Sequence, residues 1–178
     1  MTFSNPASDA AAAAPAYIRA LLDLLGSRDP FEVLPELLPW LDARLRGIGD
    51  ETLRRPEAPG KWSCIEVIQH LADSEIVAGF RGRMVLTEDR PALQGFDQDR
   101  WAAQFRYADA PRDLALAQLG GLRAANLRLW RSLTPEQHER VGMHSERGPE
   151  SIGRMLRLMA AHDLVHRRQI ERVLSAVG

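Results

Sequence analysis

Apolar residues recur along the chain at spacings of three and four, and no segment strongly alternates Val, Ile, Thr and aromatics with polar residues. Leu, Ala, Arg and Glu dominate, so the pattern predicts helix. A short first helix is expected over 17–25, with Ile18, Leu21, Leu22 and Leu25 on one face and Gly26 as its stop. Asp29-Pro30 has the form of an N-cap followed by proline at the first helical position. The segment 31–48 continues as helix, broken, kinked or delayed by Pro35 and Pro39, and Gly47 and Gly49 end it.

After a loop over 56–61, Ser63-Cys64-Ile65-Glu66 reads as a capping box that opens a long helix to about residue 86. Its main apolar stripe is Ile65, Ile68, Ala72, Ile76 and Phe80. The connection 87–110 is long enough to imply a job, such as covering a site or forming a partner surface. Pro111 opens a further long helix to about residue 133, with Leu114, Leu119, Leu122, Leu127, Leu129 and Trp130 as its apolar content. Gly120-Gly121 in its middle permits close packing or a bend. Thr134-Pro135-Glu136-Gln137 is a second capping box, for a short helix. The stretch 143–150 is polar and irregular, and Ser151 caps a final helix over 152–176. The sum is an all-α chain, a four-helix bundle with short extra helices. The long connection after the second main helix predicts a crossover instead of simple up-and-down order.

Composition narrows the function classes. The chain has 178 residues, enough for one domain with a real core. A net charge of −1 provides no electrostatic footprint for nucleic acid or an anionic membrane. The single cysteine, Cys64, cannot form an intramolecular disulfide. No apolar run reaches the roughly 18 residues of a spanning helix. The N-terminus, MTFSNPASDAAAAAP, reads as a loose tail and not as a signal peptide, so the expected location is the cytoplasm.

His162 and His166 stand four apart in the final helix, offset by only about 40° around its axis. Two imidazoles so placed can reach one ion, although exposed pairs at this spacing also arise by chance. His70 lies to one side of its helix's apolar stripe, among Glu66, Val67, Asp73, Ser74 and Val77. Its height along the helix is compatible with a shared site. Spacing alone fits a solvated or partly buried histidine bonded to a neighbour such as Asp73 at least as well. His138 and His144 read as solvated.

Several short motifs, taken in order, resemble the DinB-like superfamily and its YfiT-like group of metal-dependent hydrolases and thiol transferases. They are Pro59-Gly60-Lys61-Trp62-Ser63, His70-Leu71-Ala72-Asp73-Ser74-Glu75, Gly95-Phe96-Asp97 with Trp101, and Ala161-His162-Asp163-Leu164-Val165-His166 followed by Gln169-Ile170. The resemblance covers roughly residues 32–177, with 1–31 as an N-terminal tail and short extra helix. It implies a four-helix bundle and a site of three histidines matching His70, His162 and His166. It further implies a nickel, zinc or similar divalent ion with an open position, a small-molecule substrate, a low-molecular-weight thiol as a candidate cosubstrate, and a homodimer.

An ion held by neutral imidazoles keeps its full charge and can bring water or a thiol to its nucleophilic form near neutral pH. That chemistry defines the expected enzyme, a hydrolase or a small-thiol transferase. The alternative is a non-catalytic metal-binding or stress-response bundle. Asp73 is the first candidate to orient an imidazole, followed by Glu66, Glu75, Asp163 and Gln169. Trp62 is expected to staple the loop to the core, Trp101 to line a pocket or a dimer contact, Arg167-Arg168 to form a solvated face, and Cys64 to be a packed small residue.

Overall fold

The computed structural model describes residues 10–178, with side chains from residue 15 onward. Of the loose tail expected over residues 1–15, residues 1–9 lie outside the described residues and 10–15 are helical instead. Helix α1 spans Ala10–Leu25 and begins earlier than the apolar spacing indicates, carried by the alanine run ahead of Pro15. Gly26, at φ +62°, ends it, its amide bonded to the Leu22 carbonyl at 2.8 Å. Helix α2, Pro30–Val33, is capped by Asp29, whose carboxylate accepts from the Phe31 amide.

The two prolines of the next segment act differently. Pro35 falls in a 3₁₀ turn, Leu34–Glu36, that interrupts the helix. Pro39 falls in the first turn of α3, Leu37–Leu45, where a missing N–H costs little. A short α4, Asp50–Leu53, precedes the capping loop. Helix α5, Cys64–Thr87, opens on the expected capping box, and Ser63 N–H donates to Glu66 Oε2 at 2.7 Å.

Two further long helices follow, α7 over Arg112–Arg131 and α9 over Ile152–Val177. Between α5 and α7 lie strand β1 (Ala92–Leu93), α6 (Gln98–Gln104) and a 3₁₀ turn (Tyr107–Asp109). Between α7 and α9 lie α8 (Pro135–His138), β2 (Val141–His144) and β3 (Gly148–Ser151). The stretch expected to be irregular is therefore an antiparallel hairpin, and β1 adds to β2 in parallel, Leu93 opposite His144. This small sheet ties the crossover connection to the second loop region. No described helix is long and apolar enough to cross a membrane.

The helices enclose two apolar cores stacked end to end. One holds Ile18, Leu21 and Leu25 of α1 with Val85, Trp130, Met155 and Leu158. The other holds Leu37, Leu41 and Leu45 of α3 with Ile65, Ile68, Leu119, Ile170 and Leu174. Both α5 and α7 start in the second core and end in the first, so they run parallel and need the long crossover. Helix α9 runs the opposite way.

The apolar stripe of α5 is only half buried. Ile65, Ile68 and Ala72 are fully buried, but Ile76 is 45% and Phe80 64% exposed. Each four-residue step drifts by about 40°, so Phe80 stands about 120° from Ile68 around the axis. The inward face of the second half of α5 instead carries Gly79 and Gly82. A Cβ on Gly82 would overlap the six-membered ring of Trp130, and one on Gly79 would meet the Asn126 amide. These two glycines, and not Gly120-Gly121, set the close approach of α5 to α7. Gly121 has no neighbour within 4 Å of an added Cβ, and Gly120 only ordinary contact with Leu38.

Candidate metal centre

His70 projects from α5 and His162 and His166 from successive turns of α9, near where the two cores meet. The Nε2 atom of His162 lies 3.1 Å from that of His70 and 2.9 Å from that of His166. One candidate ligand atom from each residue lies within 4.8 Å of the others. Nitrogens bound to one ion at about 2.0–2.1 Å, with angles between right and tetrahedral, stand about 2.9–3.4 Å apart. Both distances from His162 fit that spacing, and the His70–His166 pair lies within 4.8 Å.

Protonation supports the same fit. Burial holds His70 and His162 well below the usual histidine range and pushes His166 down to about 4. Neutral imidazoles present lone pairs, as a cation requires. The Nδ1–H of His166 donates to Gln169 Oε1 at 2.7 Å, which leaves Nε2 as the free lone pair. The Trp62 ring packs against His70 with centroids 5.0 Å apart, a closer relation to the site than stapling. His70 and His166 are buried, whereas His162 is partly exposed, so the site opens past His162.

The remaining candidates divide among other networks. The Asp73 carboxylate accepts from Tyr107 O–H at 2.6 Å on one oxygen, and from Gln69 and Gln118 amides at 3.1 and 3.2 Å on the other. It binds the crossover to α5, and none of these donors is one of the three histidines. Glu66 stays in its capping box. Glu75 and Asp163 both accept from Arg123, a residue that sequence reasoning passed over. Asn126, also missed, donates to Glu75 Oε2 at 2.8 Å. The signal was present, because Arg123 and Asn126 share the face of α7 that buries Ala115, Leu119 and Trp130.

His144 departs from its solvated reading. It is 3% exposed, its Nδ1 accepts from the Glu146 amide, and burial with Arg147 and Arg81 nearby pushes it down to about 4. It is buried because β2 turns it toward the same side as Gly142, which faces Leu93 and Val85. His138 is half-buried, edge-on to Phe31. Cys64 is the packed residue expected, with burial pushing its thiol up to about 11. Trp101 sits between Phe96 and Phe105, at 4.6 and 5.4 Å. Arg167 pairs with Glu36 and covers the Trp40 ring, while Arg168 is exposed.

Known proteins resemble this chain in sequence and fold. A protein of Oceanobacillus iheyensis named "Putative metal-dependent hydrolase" is 32% identical over 119 residues, covering 67% of this chain and 69% of the relative. A protein of Geobacillus thermodenitrificans with the same name is 34% identical over 106 residues, 60% of each chain. The structure of YfiT from Bacillus subtilis, described as "a probable metal-dependent hydrolase with an unusual four-helix bundle topology", superposes with a TM-score of 0.75 at 28% identity. That match covers 81% of this chain and 83% of YfiT. Residues 40–170 match the family model of the DinB superfamily, and the chain belongs to that superfamily.

Proposed function

We propose that His70, His162 and His166 hold one divalent ion, zinc or nickel, and that the protein is a metal-dependent enzyme acting on a small molecule with water or a small thiol as nucleophile. The observation that carries this reading is the convergence of the Nε2 atoms at 2.9 and 3.1 Å on one buried point. The names of the relatives favour hydrolysis. Transfer of a bacillithiol-like thiol uses the same three ligands and is the finer form of the proposal. The proposed setting is a cytoplasmic homodimer.

When bound, such an ion acts as a Lewis acid and makes water or a thiol nucleophilic near neutral pH. The chain's own residues prepare that chemistry. Burial keeps all three imidazoles unprotonated. Gln169 fixes the tautomer of His166. Trp62 covers the His70 ring, and the partly exposed His162 marks the side from which a substrate approaches.

Elemental analysis of untagged protein tests the reading. One ion per chain is expected, and His162→Ala should lose most of it. Full occupancy in that variant rejects the three-histidine site. Hydrolytic and thiol-consumption assays on the loaded protein then separate the two chemistries. Neither activity, with a large fall in melting temperature on chelation, identifies a structural ion instead.

A further inference from the structure

Between the two apolar cores lies a layer of buried charge. Arg123 of α7, 3% exposed, donates from Nε to Glu75 of α5 at 2.8 Å and from both terminal nitrogens to Asp163 of α9 at 2.7 and 3.0 Å. Its Nη1 also donates to the Leu34 carbonyl, in the turn between α2 and α3, at 2.7 Å. Asn126 completes the layer by donating to the Glu75 side chain and to the Glu75 carbonyl. Glu75 and Asp163 are 2% exposed each.

A buried salt bridge is weak evidence of a stabilising role. Exchanging a buried ion triad for apolar residues of similar volume is often neutral or stabilising. A better-attested use of buried charge is to fix register between elements. The positions here match that use. Asp163 directly follows His162, and Glu75 lies five residues beyond His70. The two helices that supply the histidines are thus clamped to one guanidinium on a helix that supplies none. The bidentate bonds of Arg123 to Asp163 and its Nε bond to Glu75 add directional geometry that apolar packing lacks. A metal site tolerates only about 0.2 Å of error in its bond lengths.

We propose that Arg123 is a positioning residue for the metal centre, holding α5 and α9 in the register that brings His70 onto the His162–His166 pair. The inference rests on the metal reading above. It extends that reading to a helix without ligands, and it assigns the Glu75–Arg123–Asp163 layer to ion affinity and not to stability.

The test is Co²⁺ titration of the full chain against a competing chelator, read with the visible absorption of bound Co²⁺, circular dichroism and the melting temperature. The apolar triple variant Glu75→Leu/Arg123→Met/Asp163→Leu leaves no unpaired buried charge. It is expected to stay helical, to bind Co²⁺ about 10–100-fold more weakly, and to show a changed spectrum. Arg123→Lys keeps the charge but not the fork, and should fall between the two. Leu45→Ala, in the distant end of the second core, should lower the melting temperature without changing affinity by more than about twofold. Wild-type affinity and spectrum in the triple variant, or in Arg123→Lys if the triple variant does not fold, overturns the proposal. An equal loss of affinity in Leu45→Ala does so as well. A wild-type chain that binds no Co²⁺ overturns the metal reading itself, and the inference with it.

Discussion

Oε1 of Gln169 lies 2.7 Å from Nδ1 of His166, one turn further along α9, and holds the ring with its other nitrogen toward His162. An imidazole held this way loses less freedom on binding a cation. Gln169→Ala should therefore weaken metal binding by about 10–100-fold with helicity kept, and should lower the melting temperature of the metal-free protein because the buried His166 Nδ1–H loses its acceptor. Chelator competition measures the first and circular dichroism the second. An unchanged affinity would remove Gln169 from the site.

Two glycine substitutions should have opposite signs. Gly82→Ala drives a methyl into the Trp130 ring, in the close contact of α5 with α7. Overpacking of that kind costs about 1–3 kcal/mol, more than the roughly 1 kcal/mol that alanine gains in helix propensity. Gly121→Ala meets nothing within 4 Å and has only the gain, about 0.5–1 kcal/mol. Urea midpoints of the two variants should bracket the wild type.

Locally determined features are legible in the sequence. The boxes Ser63–Glu66 and Thr134–Gln137 each form within four residues, and both are present. The His162–His166 pair is a matter of one helical turn. Recruitment of His70 depends on how α5 meets α9, which spacing cannot state, and there the family resemblance supplied what periodicity lacked. The sheet is illegible for another reason. Its strands have two to four residues, too few to show alternation, and the β1–β2 pairing joins positions some fifty residues apart. Glu75 and Asp163 drew notice for their closeness to the histidines. Their partner Arg123 lies on a third helix, and only the assembled bundle shows the link.

Acid should destabilise the metal-free protein. His144 and His166 fall from 6.5 to about 4 on folding, and His70 and His162 fall as well. Below about pH 6.5 the unfolded chain takes up protons that the folded chain refuses, so stability falls as pH falls toward 4. Each such histidine contributes up to about 1.4 kcal/mol per pH unit in that window. Asp163, raised to about 6 by burial, acts in the opposite sense between its unfolded value of 3.8 and 6, and offsets one of the four. Urea unfolding with chelator present at pH 7.5, 6.0 and 5.0 should show midpoints that decline in that order. A flat profile would mean that these histidines are not buried neutral.

Tyr107 anchors the crossover. It is 1% exposed, and its hydroxyl donates to Asp73 Oδ2 at 2.6 Å, joining the 3₁₀ turn that precedes α7 to the middle of α5. Gln69 and Gln118 satisfy only the other carboxylate oxygen. Tyr107→Phe keeps the ring and its packing but leaves Oδ2 buried without that donor. The cost should be about 1–3 kcal/mol, the penalty for an unsatisfied buried acceptor. The effect should be local as well as global. Backbone amides of residues 88–110 should exchange faster with solvent, because the segment loses its tie to α5, while those of α9 should exchange faster only in proportion to the loss of global stability. Hydrogen exchange resolved by segment, set beside a urea midpoint, distinguishes the two. Wild-type exchange over 88–110 would show that the β1–β2 pairing and α6 hold the crossover without Tyr107.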